Sequence, residues 1–265
     1  MINHTILISG ESGFIGRYIS AYAKSKNIEV IQTPRIETNF SNFEKFIKEV
    51  VSTRGNNSIS FVLASWAGTD LENYRSNIEN LEWPIHVESL AKILRKYSIS
   101  FFGIGSCIEL STDTEDSYMK SKRMARNILE ATMKKDSWTW LRFFYVYSVA
   151  DRRPSLVKSA HQSVSAGQSI DLKDPNKLHD FIDVEDVASA VCVVVLNNIK
   201  GDVDIGSGSL SSVYNLVDKI FPNAVVKDIS DAGMKLKSGY SLAANTKLLR
   251  DLGWTPTKTS EFLPS

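Results

Sequence analysis

Thr5-Ile6-Leu7-Ile8, followed by Gly10-Glu11-Ser12-Gly13-Phe14-Ile15-Gly16, joins a short apolar run to a turn with three spaced glycines and to an amphipathic stretch reaching Lys26. The run reads as a buried strand and the stretch from about Ile15 to Lys26 as a helix. In such a turn one glycine allows the tight bend, a second lets backbone approach a pyrophosphate, and the third lets helix and strand pack closely. The helix N-terminus then faces the phosphate charge. Gly10, Ser12, Gly13, Phe14, Ile15 and Gly16 are therefore the candidate cofactor cradle. An ordinary strand-to-helix turn is the plainer alternative, and the flanking elements argue against it.

Outward from this point strand-like and helix-like segments alternate, the mark of βαβ units and a parallel sheet covered on both faces. Strands are expected at Ile28–Gln32, Ile59–Ala64, Ile99–Ile104, Trp138–Val146 and Val203–Ile205. Helices are expected at Phe43–Val51, Leu81–Tyr97, Tyr118–Met133, Ser155–Ala166, Val184–Leu196 and Ser212–Ile220, with Pro84 fitting best in a first turn. The fold class is α/β, a Rossmann doubly wound parallel sheet with a small C-terminal substrate-binding lobe. Residues 1–147, with 178–206 returning to them, should form the dinucleotide-binding domain, and 148–177 with 207–265 the lobe.

The end of the second strand bears on which dinucleotide is bound. An Asp or Glu there commonly holds the adenosine ribose of NAD, whereas an Arg accommodates the 2′-phosphate of NADP. This chain has Val30-Ile31-Gln32-Thr33-Pro34-Arg35, with no carboxylate and with Arg35 close behind. NADP is therefore favoured over NAD, with a solvated surface Arg as the alternative.

Composition excludes several classes of function. The 265 residues hold 31 Lys plus Arg against 30 Asp plus Glu, so there is no basic excess to draw nucleic acid or an anionic membrane. Nothing resembles a signal peptide or a bilayer-spanning run, and a cytoplasmic protein is expected. Cys107 and Cys192 read as free thiols in a reducing compartment. His161 and His179 lack partners at metal-binding spacing, so no metal is expected.

Tyr118 and Lys122 stand four residues apart, on one face of a helix. An ammonium beside a phenol favours the phenolate, which suits the phenol to proton transfer near neutrality. Tyr22 and Lys26 share the interval, so place in the fold must choose between the pairs. Ser106 ends the strand before the Tyr118 helix, at the carboxyl edge where open α/β sheets bind ligands. Together Ser106, Tyr118 and Lys122 suit carbonyl reduction or alcohol oxidation. Trp66 could stack on sugar or nicotinamide or simply pack, and Arg152 and Arg153 could neutralise a pyrophosphate or lie in solvent.

With these segments in place the chain resembles the extended short-chain dehydrogenases/reductases over nearly its full length. The resemblance rests on Gly10-x-x-Gly13-x-x-Gly16, Tyr118-x-x-x-Lys122, Leu141-Arg142-Phe143-Phe144-Tyr145-Val146-Tyr147, the segment His179 to Ala188, Asp204-Ile205-Gly206-Ser207-Gly208 and Leu252-Gly253-Trp254-Thr255-Pro256. It implies Tyr118 as general acid/base, Lys122 as holder of the nicotinamide ribose, and Ser106 as polariser of the carbonyl. It further implies Ala64 and Tyr145 beside the cofactor, Ser106 beside a nucleotide-sugar substrate, for which Trp66 and Arg153 are the further candidates, and a homodimer through the two long helices. Dehydratases of the family follow the hydroxyl residue with Asp and Glu, where this chain has Cys107 and Ile108. Gly105-Ser106-Cys107-Ile108-Glu109-Leu110 and Leu63-Ala64-Ser65-Trp66 look instead like segments of 4-keto-sugar reductases. The expectation is NADPH-dependent reduction of a nucleotide-linked 4-keto-6-deoxy sugar; alternatives are an NAD-dependent 4-epimerase and a non-catalytic dinucleotide-binding protein.

Overall fold

Alternating apolar residues on the first strand bury both faces of a sheet at once. In the computed structural model β1 (His4–Ser9) sends Ile6 and Ile8 into one apolar cluster and Leu7 into another. The structure describes residues 4–35, 40–55, 57–66, 73–111, 116–150, 154–230 and 242–259. Among them β1, β2 (Glu29–Gln32), β3 (Ser58–Leu63), β4 (Ser100–Ser106), β5 (Trp138–Phe143) and β10 (Gly201–Ile205) form one sheet in the order β10-β5-β4-β3-β1-β2. Every pairing in it is parallel.

Helices α1 (Phe14–Ser25) and α6 (Val184–Leu196) cover the Ile6 face. The other face is covered by α2 (Phe40–Arg54), α3 (Trp83–Lys96) and α4 (Ser117–Thr132). This is the expected Rossmann arrangement. Its strand order reverses between β1 and β3, which opens a crevice at the carboxyl edge where the glycine turn stands. Pro84 lies in the first turn of α3, where a missing N–H costs nothing, and a 3₁₀ turn over Ile78–Glu82 leads into that helix.

The expected strand Trp138–Val146 is two strands. Phe144 donates its N–H to the Ile205 carbonyl, and the chain then leaves the main sheet as β6 (Tyr145–Tyr147). The remaining short elements are α5 (Leu156–Ser165), β7 (Ile170–Leu172), β8 (Leu178–His179), β9 (Phe181–Asp183), β11 (Ser211–Ser212), α7 (Val213–Ile220), β12 (Val226–Asp228) and α8 (Lys247–Asp251). They pair as β6 with β9, β8 with β11, and β7 with β12. Two small apolar clusters lie here, one around Tyr147, Val157, Phe181 and Leu216, the other around Ala160, Ile170, Leu172 and Val217. Among the described residues no helix is long and apolar enough to cross a membrane, and no group of three metal-binding side chains occurs.

Candidate active site

Two glycines of the turn have no room for a side chain. Gly10 has φ +76°, and a Cβ there would lie 2.8 Å from the Ser65 nitrogen and 2.9 Å from the Ala64 carbonyl carbon. At Gly16 a Cβ would lie 2.0 Å from the Gly10 oxygen, so helix and turn touch through bare backbone. Gly13 caps α1 without a side-chain bond, and the first turn holds no acidic residue. Ser12 and Gly13 are exposed, and Phe14 and Ile15 half-buried. Glu11, the one carboxylate in the turn, folds back onto α1. There it bonds the Ser20 hydroxyl and accepts from Lys24 at 2.7 Å, which holds it below the usual carboxylate range. An open cradle of backbone at an uncapped helix N-terminus fits a pyrophosphate.

At the far end of β2 Arg35 is exposed. Two residues earlier Thr33 is buried, and its hydroxyl has no hydrogen-bond partner among the described residues. Sequence reasoning passed over Thr33, because a threonine ending a strand gives no signal until its burial is known.

The carboxyl edge of β4 faces the start of α4. Asp116 caps that helix, accepting from the Met119 N–H at 2.8 Å, and pairs with Arg75 at 2.6 Å. The Tyr118 N–H donates to the Arg75 carbonyl at 3.0 Å, and the Ser117 hydroxyl reaches the Arg75 and Asn77 carbonyls at 2.9 and 2.8 Å. This fastening leaves the Tyr118 ring half-buried, edge-on to Tyr74 at 5.2 Å and to Trp66 at 6.4 Å. One turn on, Lys122 is buried; its ammonium donates to the Ile104 carbonyl at 2.7 Å and stands 3.3 Å from the Trp66 ring centroid. Ser106 closes β4 with its N–H donating to Glu109 at 2.6 Å, while its hydroxyl accepts from the Ile108 N–H at 3.4 Å. Of the two Tyr/Lys pairs, only Tyr118 and Lys122 stand beside Ser106 at the sheet edge. Tyr22 and Lys26 make their own cation–π contact at the end of α1.

Two expectations need correction. The Lys122 ammonium was expected to lower the Tyr118 pKa, but burial, with smaller contributions from Tyr74 and Glu109, pushes the phenol up. The ammonium points at the Ile104 carbonyl and the Trp66 face, 5.5 Å from the Tyr118 ring centroid, and desolvation prevails. Burial also pushes Lys122 down, to about 7, against the opposing pull of Glu109. Trp66, expected to offer a stacking face to a sugar or nicotinamide, has both faces taken. Trp83 stacks on it at 4.9 Å and 16°, and Lys122 lies over the ring.

Beyond Ser106 neither polar side chain is free to move protons. Burial pushes the Cys107 thiol up to about 12, helped by Asp180 and Glu109. Glu109 is buried and spends its oxygens on the Ser106 N–H and on the Trp140 indole N–H at 2.8 Å. That indole lies across β4, where a Cβ on Gly105 would stand 2.2 Å from its Nε1 and one on Gly103 2.5 Å from its Cζ3. Tyr145 is exposed and lies against His179 at 3.7 Å; burial of its phenol pushes it up to about 12. Arg152 and Arg153 fall outside the described residues.

The segment from His179 to Ala188 holds the C-terminal part to the sheet. Asp180, fully buried, accepts from the Ser207 N–H and hydroxyl at 2.7 and 2.6 Å, the Gly208 N–H at 2.9 Å and the Ala244 N–H at 2.8 Å. Asp186 likewise accepts from the backbone N–H groups of Thr257, Lys258 and Thr259.

Residues 98–206 match the model of the NAD dependent epimerase/dehydratase family. The chain is 22% identical over 273 residues to CDP-abequose synthase of Salmonella muenchen, covering 96% of this chain and 93% of that protein. Its fold is similar to that of dTDP-glucose 4,6-dehydratase from Bacillus anthracis, solved in complex with NAD, at 17% identity, 98% and 93% coverage and a TM-score of 0.71. It is also similar to that of a dTDP-4-dehydrorhamnose reductase from Clostridium acetobutylicum, at 17% identity, 85% and 84% coverage and a TM-score of 0.66. A fold shared by a dehydratase and a reductase leaves the reaction to be argued from the site.

Proposed function

We propose that this enzyme of the NAD dependent epimerase/dehydratase family reduces a 4-keto-6-deoxy sugar carried on a nucleotide, with NADPH as reductant and Tyr118 as proton donor. The observation that carries this reading is the Tyr118 phenol, half-buried against Tyr74 and Trp66 in the first turn of α4, one turn before Lys122. A reduction asks this residue to give a proton, and a phenol holds one throughout the neutral range. Elimination of water would need further acid and base groups, and the two candidates are disabled: the Cys107 thiol stays protonated and Glu109 is engaged with Ser106 and Trp140.

The dinucleotide, when bound, supplies the hydride equivalent that the carbonyl carbon accepts. Gly10, Ser12, Gly13, Phe14, Ile15 and Gly16 would hold its pyrophosphate, with Ala64 and Tyr145 alongside and Arg35 on the 2′-phosphate. Ser106 would share the carbonyl oxygen with Tyr118, and Lys122 would hold the nicotinamide ribose. Residues 148–177 and 207–265 would receive the nucleotide; the small apolar cluster of Ala160, Ile170, Leu172 and Val217 supports this division, although Leu249 and Trp254 pack into the main core. Ile85 on α3 and Met124 on α4 are exposed, which supports a homodimer through these helices.

The test is NADPH consumption by the purified protein against a panel of nucleotide-linked 4-keto-6-deoxy sugars, with Tyr118→Phe as control. Consumption with one of them, lowered by about 10²–10⁴ in the variant, is expected. Tightly retained NAD with no net oxidation of NADPH would replace the reductase by the 4-epimerase, which uses the same residues in both directions. An unchanged rate in Tyr118→Phe would remove the role of the phenol.

A further inference from the structure

Neither Tyr118 nor Lys122 is held in place by α4 alone. Trp66, just past β3, is fixed on three sides: Trp83 stacks on one face, the Lys122 ammonium rests on the other, and the indole N–H donates to Asn80 Oδ1 at 2.9 Å. Asn80 sits in the 3₁₀ turn before α3 and is 2% exposed. Its Nδ2 donates to the Tyr74 carbonyl at 2.6 Å and to the Asn77 carbonyl at 2.9 Å. This set admits one orientation of the amide, because an indole only donates and a backbone carbonyl only accepts. Tyr74 presents its ring to Tyr118, and the Asn77 carbonyl takes the Ser117 hydroxyl. One buried amide thus reaches Lys122 through an indole and Tyr118 through a tyrosine.

We infer that Trp66 is the seat that positions the Lys122 ammonium, and that Asn80 is the positioning residue that keeps this seat in register with Tyr118. The inference rests on the reading of Tyr118 and Lys122 as the working pair, and it gives Trp66 a task other than binding sugar. A flat π face attracts a cation more strongly where water is excluded, and Lys122 is buried with, among the described residues, one carbonyl as its hydrogen-bond acceptor. The titratable groups around it are Glu109, from the turn after β4, and Tyr118 on its own helix; Tyr74 and Cys107 act in turn on Tyr118. Removing the indole face leaves these groups in place and withdraws a partner of the charged form alone, so the lysine should lose its proton at lower pH.

The experiment follows the Lys122 side chain by NMR through a pH titration of the full chain labelled with ¹³C,¹⁵N-lysine, its signal assigned by its loss in Lys122→Met. In Trp66→Leu the midpoint should fall by about 0.4–1.5 pH units. Trp66→Phe, which keeps an aromatic face, should recover part of that shift, and Asn80→Ala should move the midpoint in the same direction as Trp66→Leu. Lys200, a second half-buried lysine whose ammonium donates to Ser100 at 2.9 Å, serves as internal reference. An unmoved Lys122 midpoint in Trp66→Leu, or a Lys200 shift of equal size, would overturn the inference; if Trp66→Leu does not fold, a wild-type midpoint in both Trp66→Phe and Asn80→Ala does so. This readout needs neither dinucleotide nor sugar, so failure of the proposed reduction leaves it standing, and a negative titration leaves the proposed reduction untouched.

Discussion

Replacing Asp180 by Asn exchanges one oxygen for an NH₂ group and should cost several kcal/mol. The carboxylate is fully buried and meets four donors, two at each oxygen. An amide of the same shape must place an NH₂ group at one of the two positions. Placed at Oδ2 it would oppose the N–H groups of both Gly208 and Ala244. At Oδ1 it would oppose the Ser207 N–H alone, because the Ser207 hydroxyl can turn and accept, so the amide should settle there. One buried N–H is then left unsatisfied, at roughly 1–3 kcal/mol. The bonds kept at Oδ2 lose their ionic character, at roughly 1 kcal/mol each. The sum is about 3–5 kcal/mol, or a melting temperature lower by roughly 10 °C for a chain of this size. Urea unfolding followed by circular dichroism measures it through the midpoint, with the slope unchanged if the native state is otherwise intact. A loss below about 1 kcal/mol would refute the claim that this carboxylate clamps the C-terminal segment to the sheet.

The glycine turn makes a graded prediction. Gly16→Ala forces a methyl to 2.0 Å from the Gly10 oxygen, whereas at Gly13 the same atom is met at 3.1 Å. NADPH affinity, read by fluorescence titration, should fall about ten- to a hundredfold in the first variant and little in the second; equal losses would show that the cradle is not shaped by that contact. A pH dependence follows from Lys122, whose pKa is pushed below the ordinary lysine range. Its charged form exists below that value and is lost as pH rises through it, so kcat/KM for reduction should decline on the alkaline side from near neutrality upward. Tyr118, pushed up, contributes no loss there. Lys122→Arg should abolish that decline because a guanidinium keeps its proton, and a profile unaltered by the substitution would assign the limb to another group. Arg35→Ala should weaken NADPH far more than NADH in the same titration, and parallel losses would withdraw the 2′-phosphate assignment.

The first strand, the glycine turn and α1 were legible because periodicity and glycine spacing are local properties. So was α6, whose observed span Val184–Leu196 equals the expected one. Local pattern also placed Ser106 at the end of β4, Tyr118 in the first turn of α4 and Lys122 one turn further along it. Direction was not legible. That Lys122 turns toward Trp66 and the Ile104 carbonyl depends on residues 56 and 18 positions away in sequence, and no spacing rule connects them. The break at Phe144 was hidden for the same reason: Trp138–Val146 is largely apolar and aromatic with no turn residue in it, and only pairing with β9 reveals that the chain changes sheet. Asn80 gave no signal, because a buried amide in a 3₁₀ turn reads as an ordinary polar loop residue until its partners are known.

Trp140 and the two glycines opposite it on β4 form a single steric unit with a consequence for how this chain tolerates change. A methyl at 103 or 105 would run into the indole, so neither glycine can acquire a side chain while the tryptophan stays. Truncating the tryptophan first would open that space, at the expense of a bond to Glu109 that helps shape the turn carrying Ser106. Drift at these three positions should therefore be coordinated, and a library randomising 103, 105 and 140 together should recover folded variants that single-site libraries at either glycine never contain.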